Sequence, residues 1–346
     1  MVADLTSQTG PETRFDRQVR FAPLGMDGQQ RLAQASVFIL GAGALGGVIA
    51  QAMARSGIGR IVIADRDSVE WSNLPRQILF EDRHAREGAL KALAAKESLE
   101  RMGGPTIIEA HAAHVDAENL AELSRGCDLL MDGSDNMETR YLLNDLAIQK
   151  GTPWVYAGVV GGGGLVLPVV PGRGPCLRCL FPEPPPSATL ETCDTAGVLM
   201  PAVGAIASMA AGVGLRLLVD PETIEPRLME LDVWHGESRS LTIPRNPDCP
   251  ACGQRQFPFL EAPITERTLT MCGRDTVQVR GNGQRIDLAR MEQRLRAVAS
   301  EVTPMGPMLR AALDGFRITL FQDGRALIEG TQDKGKALAL YDRYLA

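Results

Sequence analysis

The chain has 346 residues, enough for one large domain or two smaller ones, and either can bury a full core. Hydrophobic residues make up 45% and charged residues 23%, the balance of a folded globular protein rather than a disordered one. A net charge of -6 argues against nucleic acid as the main partner, because no overall basic field exists to hold phosphates.

The opening MVADLTSQTGPETRFDRQ is polar and lacks the apolar run of an export signal. Seven cysteines without such a signal fit reduced thiols, metal ligands or a reactive thiol better than a disulfide framework, so a cytoplasmic setting is expected. A short helix is expected to end over 29–35. SVFIL at 36–40 then reads as a buried strand, GAGALGG turns the chain into a helix, and RIVIA at 60–64 is a second buried strand ending at Asp65. This β-α-β run opens a doubly wound α/β sheet. A helix follows over 88–102, a strand over 106–115 and a helix over 118–124. The strand CDLLMD at 127–132, a helix over 139–150 and a strand over 153–159 complete the pattern.

Residues 182–191 are proline-rich and read as a crossover loop. Residues 198–219 are almost all small or apolar, about enough to span a bilayer. Pro201 and Arg216 within that run, and its small side chains, instead favour a helix packed in the core or at a subunit interface, and no membrane partner is expected. After the turn-rich 244–258 the pattern resets. A strand over 268–280, a helix over 287–298, strands 316–320 and 325–328 around Asp323-Gly324, and a helix over 333–344 form a small α+β appendage. The expected organisation is an N-terminal arm at 1–35, an α/β domain at 36–258 and a small domain at 262–346.

Gly41, Gly43 and Gly46 leave a strand and enter a helix, so backbone amides and the helix N-terminus can face a phosphate. Asp65 is placed to accept hydrogen bonds from ribose hydroxyls. By themselves these residues say only nucleotide, and NAD or FAD would be the ordinary ligand. Four further features favour a nucleoside triphosphate. Ser72-Asn73-Leu74-Pro75-Arg76-Gln77 offers polar groups and a guanidinium, and Lys91 a second cation. Ser134-Asp135-Asn136 stands at a strand end, where a carboxylate can hold Mg2+. Arg14-Phe15-Asp16-Arg17-Gln18 supplies an arginine from the arm. Each alone would be an ordinary surface charge; their co-occurrence carries the reading.

Cys176-x-x-Cys179 and Cys249-x-x-Cys252 are two knuckles that a tetrahedral Zn2+ can join. Four thiolates leave no open position, so the site is expected to be structural, contributing on the order of 10 kcal/mol to folding. His111 and His114 lack a third ligand and read as structural. Cys127 falls in a buried strand, Cys272 on an expected strand, and Cys193 just ahead of a helix expected to begin near residue 196. A thiolate is stabilised at such a position.

RFDRQ, GAGALGG, ADRDSVEWSNLPRQ, GALK, DGSDNMETR, CLRC, LETCDTAGV and NPDCPACG, in this order over residues 10–255, resemble the ThiF/MoeB/HesA family, relatives of the ubiquitin-activating enzymes. The segment around Cys272 and the small C-terminal domain resemble the longer ThiF-type members. The resemblance implies a Rossmann-like, mostly parallel sheet with a four-cysteine zinc site. It also implies an enzyme that uses ATP and Mg2+ to adenylate the C-terminal Gly-Gly carboxylate of a ubiquitin-like sulfur-carrier protein, in thiamine or molybdopterin biosynthesis. It assigns Gly41, Gly43, Gly46, Asp65, Asp67, Asn73, Arg76, Lys91, Asp135 and Asn136 to the nucleotide and its Mg2+. Arg17 matches an arginine lent across a homodimer, and Cys193 a cysteine able to link covalently to the carrier. A cysteine desulfurase or sulfurtransferase would be the sulfur donor. The sequence departs from the pattern at Ala44, at Pro75 and in about two extra residues before GALK. The competing readings are an NAD-dependent oxidoreductase on the same glycine turn, a non-catalytic scaffold, and an adenylyltransferase with a non-carrier acceptor.

Overall fold

The computed structural model describes residues 13–184, 193–261, 268–270, 275–281, 285–306 and 308–345. The chain divides into two compact units, Met1–Ala262 and Pro263–Ala346.

The first unit is built on eight strands: β1 (Ser36–Leu40), β2 (Arg60–Ala64), β3 (Ile107–His111), β4 (Leu129–Asp132), β5 (Trp154–Val160), β6 (Gly163–Val169), β7 (Leu228–Asp232) and β8 (Glu237–Leu241). Their order is β3-β2-β1-β4-β5-β6-β7-β8. Pairing is parallel from β3 through β5 and antiparallel from β5 to β8. The central strands are apolar on both faces because each face is covered. Val37 and Ile39 join Ile61, Ile63 and Ala207 on one side, while Phe38, Val62, Tyr141 and Trp154 form the cluster on the other. From β1 the chain works outward to β3, then returns to β4 on the other flank of β1. This reversal opens a crevice at the carboxyl ends of β1 and β4, where ligands of open α/β sheets bind.

Met200–Val219 is one continuous helix, long and apolar enough to cross a membrane. Here its Val203, Ile206, Ala207, Ala210 and Gly214 face inward, against the helix Ala44–Arg55 and strands β5 and β6. Pro201 sits in its first turn, where the missing N–H has no intrahelical acceptor to lose. At Gly214 an added methyl group would lie 2.6 Å from Met53 Cε and 3.0 Å from Met131 Sδ, so the small residues set how closely the helix approaches the sheet.

Some elements differ from the sequence reading. The first long helix runs Gly25–Gln34, and a short helix Asp82–Glu87 precedes the helix Lys91–Arg101. The strand and helix expected over 106–115 and 118–124 contract to β3 and Leu120–Leu123. Strands β7 and β8 were not anticipated; β8 is an edge strand exposed along its whole length, so it lacks the alternation that marks a half-buried strand.

The second unit is a six-stranded antiparallel sheet: β9 (Thr268–Thr270), β10 (Thr276–Val279), β11 (Glu301–Met305), β12 (Met308–Leu313), β13 (Phe316–Phe321) and β14 (Ala326–Glu329), in the order β11-β12-β13-β14-β10-β9. Helices Leu288–Arg296 and Lys334–Tyr344 close its core around Val277, Leu295, Leu320, Ile328 and Tyr341. The single strand expected over 268–280 is instead two strands paired antiparallel. Strands β11 and β12 escaped the sequence reading because Pro304 looks like a breaker. It lies on the edge strand, where a missing N–H removes no ladder bond.

Gly214→Leu is expected to lower stability by about 1–3 kcal/mol through overpacking. A fall in the urea midpoint with an unchanged m-value would show it.

Candidate functional site

At the crevice three glycines pack backbone on backbone. A Cβ on Gly41 would lie 2.7 Å from the carbonyl oxygen of Gly133, one on Gly46 1.9 Å from that of Gly41, and one on Gly133 2.6 Å from the α-carbon of Gly46. Gly41 also has a φ of +91°, a conformation L side chains rarely adopt. Gly43 is different. A Cβ there would meet Gln77 Nε2 at 3.9 Å and nothing nearer beyond the turn. Gly43 also stands at the N-cap of the helix Ala44–Arg55, which no side chain caps. First-turn amides and the positive end of the helix dipole are therefore presented toward open space, an arrangement suited to an anion.

The turn is held by Asp65. Its Oδ2 accepts the Ala42 N–H at 2.7 Å and its Oδ1 accepts the Asp67 N–H at 2.7 Å. Burial pushes its carboxyl above the usual range, with Lys91 pulling the other way. Each oxygen retains a second lone pair, so hydrogen bonds from ribose hydroxyls are compatible with this role. Lys91, with only 6% of its side chain exposed, donates to Asp67 Oδ2 at 3.0 Å, and its N–H donates to the Asp67 carbonyl at 2.8 Å.

The segment from Ser72 to Gln77 lies against this turn. Asn73 is buried, and its Oδ1 accepts the Glu70 N–H at 3.1 Å, which closes a capping box on the 3-10 turn Trp71–Asn73. Arg76 folds back to donate to the Ser72 carbonyl at 2.7 Å. Gln77 is 5% exposed, and its Oε1 has no donor among the described residues.

Opposite the turn, β4 ends in Asp132, which is fully buried. It accepts from the Ser134 N–H at 2.9 Å, from Ser134 Oγ at 2.7 Å and from Arg140 Nε at 2.8 Å. Arg140 also donates to the carbonyls of Ser134 at 2.7 Å and Ala157 at 3.1 Å, and stands over the Tyr156 ring. Burial disfavours its charge, but the Asp132 carboxylate, together with Tyr156 and Asp135, outweighs that and holds the guanidinium pKa above its ordinary value. This buried pair fixes the loop that presents Asp135. Asp135 itself is exposed, while Asn136 caps the helix Met137–Lys150 by accepting the Thr139 N–H at 3.3 Å.

The structure thus brings Gly41, Gly43, Gly46, Asp65, Asp67, Asn73, Arg76, Lys91, Asp135 and Asn136 to the carboxyl ends of β1, β2 and β4 and the loops that follow them. It does not bring Arg17 there. The helix Asp16–Val19 lies beside Ser56 and Gly57, with Gln18 Nε2 donating to the Ser56 carbonyl at 2.9 Å. Those residues follow the far end of the 12-residue helix Ala44–Arg55. At the usual helical rise that end is ~18 Å from the glycine turn. Cys193 begins a short helix, Cys193–Ala196, ahead of the long helix that opens at Met200 rather than near residue 196; the Cys193 side chain lies outside the described residues. Residue Cys272 also lies outside them. The sequence reading gave Asp132 and Arg140 no role and named Gln77 only as part of the polar segment 72–77. A carboxylate closing a fully apolar strand, with an arginine eight residues on, was the available signal for the first two.

The four cysteines converge. The sulfurs of Cys176, Cys179, Cys249 and Cys252 lie within 4.8 Å of one another, with Cys176–Cys249 at 3.6 Å and Cys179–Cys252 at 3.4 Å. Zinc–sulfur bonds of about 2.3 Å in a tetrahedron require sulfurs roughly 3.8 Å apart, so the set fits Zn2+ with no open position. Cys176 and Cys249 are buried in the same apolar cluster as Tyr141 and Leu177, and the Leu177 N–H donates to Asn144 Oδ1 at 3.0 Å.

Residues 15–251 match the model of the ThiF family. The chain belongs to the ThiF family. Over 335 residues it is 38% identical to the sulfur carrier protein ThiS adenylyltransferase of Bacillus subtilis, covering 96% of this chain and 99% of that one. It is also 38% identical over 261 residues to the sulfur carrier protein adenylyltransferase of Thermus thermophilus, covering 72% and 95%. Among solved structures, Escherichia coli MccB with MccA-N7isoASN superposes with a TM-score of 0.61 at 22% identity, covering 71% of this chain and 76% of that one. That similarity concerns the fold. This ThiF-family chain carries the glycine turn, Asp65, Lys91 and the four-cysteine cluster on that fold.

Arg140→Met is expected to cost about 3–5 kcal/mol, because it strands the Asp132 charge in the interior. Asp132→Leu/Arg140→Met should recover much of that loss, read by denaturant melts of both variants. For the metal, the purified protein is expected to hold about one zinc per chain by elemental analysis. Cys249→Ser should lose it together with a large fall in Tm; metal-free wild-type protein with an unchanged Tm would refute the site.

Proposed function

We propose that this protein adenylates the C-terminal Gly-Gly carboxylate of a ubiquitin-like sulfur-carrier protein, and that the carrier serves thiamine biosynthesis. The observation that carries the reading is the likeness to a ThiS adenylyltransferase along nearly the whole chain, second unit included. The geometry agrees with it: an uncapped helix N-terminus, Lys91 and an exposed Asp135 face one crevice.

In the reaction the carrier carboxylate attacks the α-phosphorus of ATP, the bond to the bridging oxygen breaks, and pyrophosphate leaves behind an acyl-adenylate. A terminal carboxylate is already ionised at neutral pH, so no general base is required. The chain's task is to align the carboxylate with the phosphorus and to neutralise the charge that builds on the leaving pyrophosphate. The glycine-turn amides and Lys91 supply positive potential. Arg76 does so by swinging from the Ser72 carbonyl toward the phosphates. Asp135 and Asn136 offer oxygen ligands to a Mg2+ that accompanies the triphosphate. Arg17, held at the opposite end of the sheet from its own turn, serves the site of a second copy in a homodimer. Cys193 captures the activated carrier: its thiolate attacks the acyl-adenylate carbonyl, a thioester forms and AMP leaves, and a desulfurase or sulfurtransferase delivers the sulfur. The reduced four-thiol cluster suits the cytoplasm.

ATP–pyrophosphate exchange is expected to require the intact Gly-Gly tail of the carrier. Asp135→Ala should lower it about 10²- to 10³-fold without changing the fold. Exchange at the wild-type rate by that variant would exclude the assignment.

A further inference from the structure

Beside the crevice the sheet end carries a ledge that the reaction steps do not involve. Strand β5 runs parallel to β4, and β6, β7 and β8 alternate in direction after it, so the β5–β6 and β7–β8 turns stand at the same end of the sheet as the crevice. Backbone hydrogen bonds join these turns to the chain that follows the Cys193–Ala196 helix. Gly161 donates to the Gly197 carbonyl at 2.9 Å and accepts the Leu199 N–H at 2.9 Å, while the Gly162 carbonyl accepts the Val233 N–H at 2.9 Å. A Cβ on Gly162 would lie 2.8 Å from Trp234 Cβ, so glycine there lets the two turns meet. A Cβ on Gly161 would meet nothing within 4 Å, which leaves open space over the middle of the ledge.

Two large apolar side chains stand exposed on this ledge, Leu199 at 41% and Trp234 at 73%. Trp234 is not on a loose loop. Asp232 Oδ1 accepts the N–H groups of Trp234 at 2.9 Å and His235 at 3.1 Å, and Asp232 Oδ2 pairs with His235 Nδ1 at 2.9 Å. A tryptophan held in place but left in water offers a large apolar area at little cost in ordering, and such aromatics are the residues that anchor protein interfaces.

The acceptor's shape points to the occupant. A carboxylate at the end of a flexible tail can reach the α-phosphorus, but the folded body behind it cannot enter the crevice and must rest beside it. Trp234 follows β7, three strands over from β4, and that is about 14 Å at the usual strand spacing, which an extended chain covers in about four residues. We propose that Trp234, with Leu199, anchors the folded body of the sulfur-carrier protein, whose terminal residues then cross the ledge over Gly161 to the crevice. The inference rests on the carrier reading given above.

The test uses full-length protein, ATP with Mg2+ and a ThiS-like carrier ending in Gly-Gly. In ATP–pyrophosphate exchange, Trp234→Ser is expected to raise KM for the carrier at least about 10-fold and to leave KM for ATP within about twofold. Its Tm and its mass by light scattering should match the wild type, because the side chain is mostly in water and Asp232 still holds the turn. Trp234→Phe, which keeps an aromatic ring, should recover most of the loss. A wild-type KM for the carrier in Trp234→Ser would overturn the proposal. So would a fall of that variant to a lower mass, which would make Trp234 a contact between copies of the chain. Absence of exchange by the wild-type protein with such a carrier would overturn the carrier reading, and the proposal with it.

Discussion

The crevice depends on a place where three stretches of backbone touch with no side chain between them. The turn after β1, the first turn of the helix Ala44–Arg55 and the residue after β4 meet at Gly41, Gly46 and Gly133, with any added Cβ falling 1.9 to 2.7 Å from a neighbouring backbone atom. No rearrangement of flexible side chains can relieve such contacts. The sheet reverses its winding order between the same two strands, so the tightest backbone approach coincides with the opening that its topology creates. Close approach brings the N-terminus of that helix over the strand ends, and Asp65 then locks the turn through the amides of Ala42 and Asp67.

Around that contact the carboxylates divide into two kinds. Asp65 and Asp132 are committed to the scaffold: each accepts two or more backbone or side-chain donors and so defines where a loop runs. Asp135 is exposed, on the loop the Asp132–Arg140 pair holds. Burying an ion pair adds little net stability, because desolvation offsets the attraction. It does give the loop a single conformation, since Arg140 reaches Asp132, Ser134 and Ala157 at once. A site that works by positioning needs that rigidity more than it needs stability.

The four-cysteine cluster does a related task farther along the chain. Cys176 stands at the N-cap of the short helix Leu177–Leu180 after β6 and Cys179 lies within it, while Cys249 and Cys252 lie near the end of the first unit. Residues 242–257, around the second pair, form no strand or helix. A metal ion held by the four thiolates would replace there the apolar burial that regular elements otherwise provide. Both cysteine pairs sit against the same apolar cluster that covers one face of the sheet, so the staple is anchored to the fold.

Much of this was readable from local pattern. Runs of four consecutive apolar residues, glycines at fixed offsets and paired Cys-x-x-Cys knuckles are short-range signals, and each imposes its geometry through the backbone or a metal's coordination rules. They determined the opening β-α-β unit, the glycine turn and the identity of the four thiols. Tertiary structure alone decided the rest. It set the antiparallel extension through β7 and β8, whose exposed edge carries no hydrophobic period, and the pairing of β11 with β12 around an edge proline. It decided that Asp132 and Arg140 neutralise each other in the interior, that Gln77 faces Gly43, and that Arg17 lies at the far end of the sheet from its own turn. These outcomes depend on which distant segments meet, and packing across the sheet settles that where composition and spacing along the chain do not.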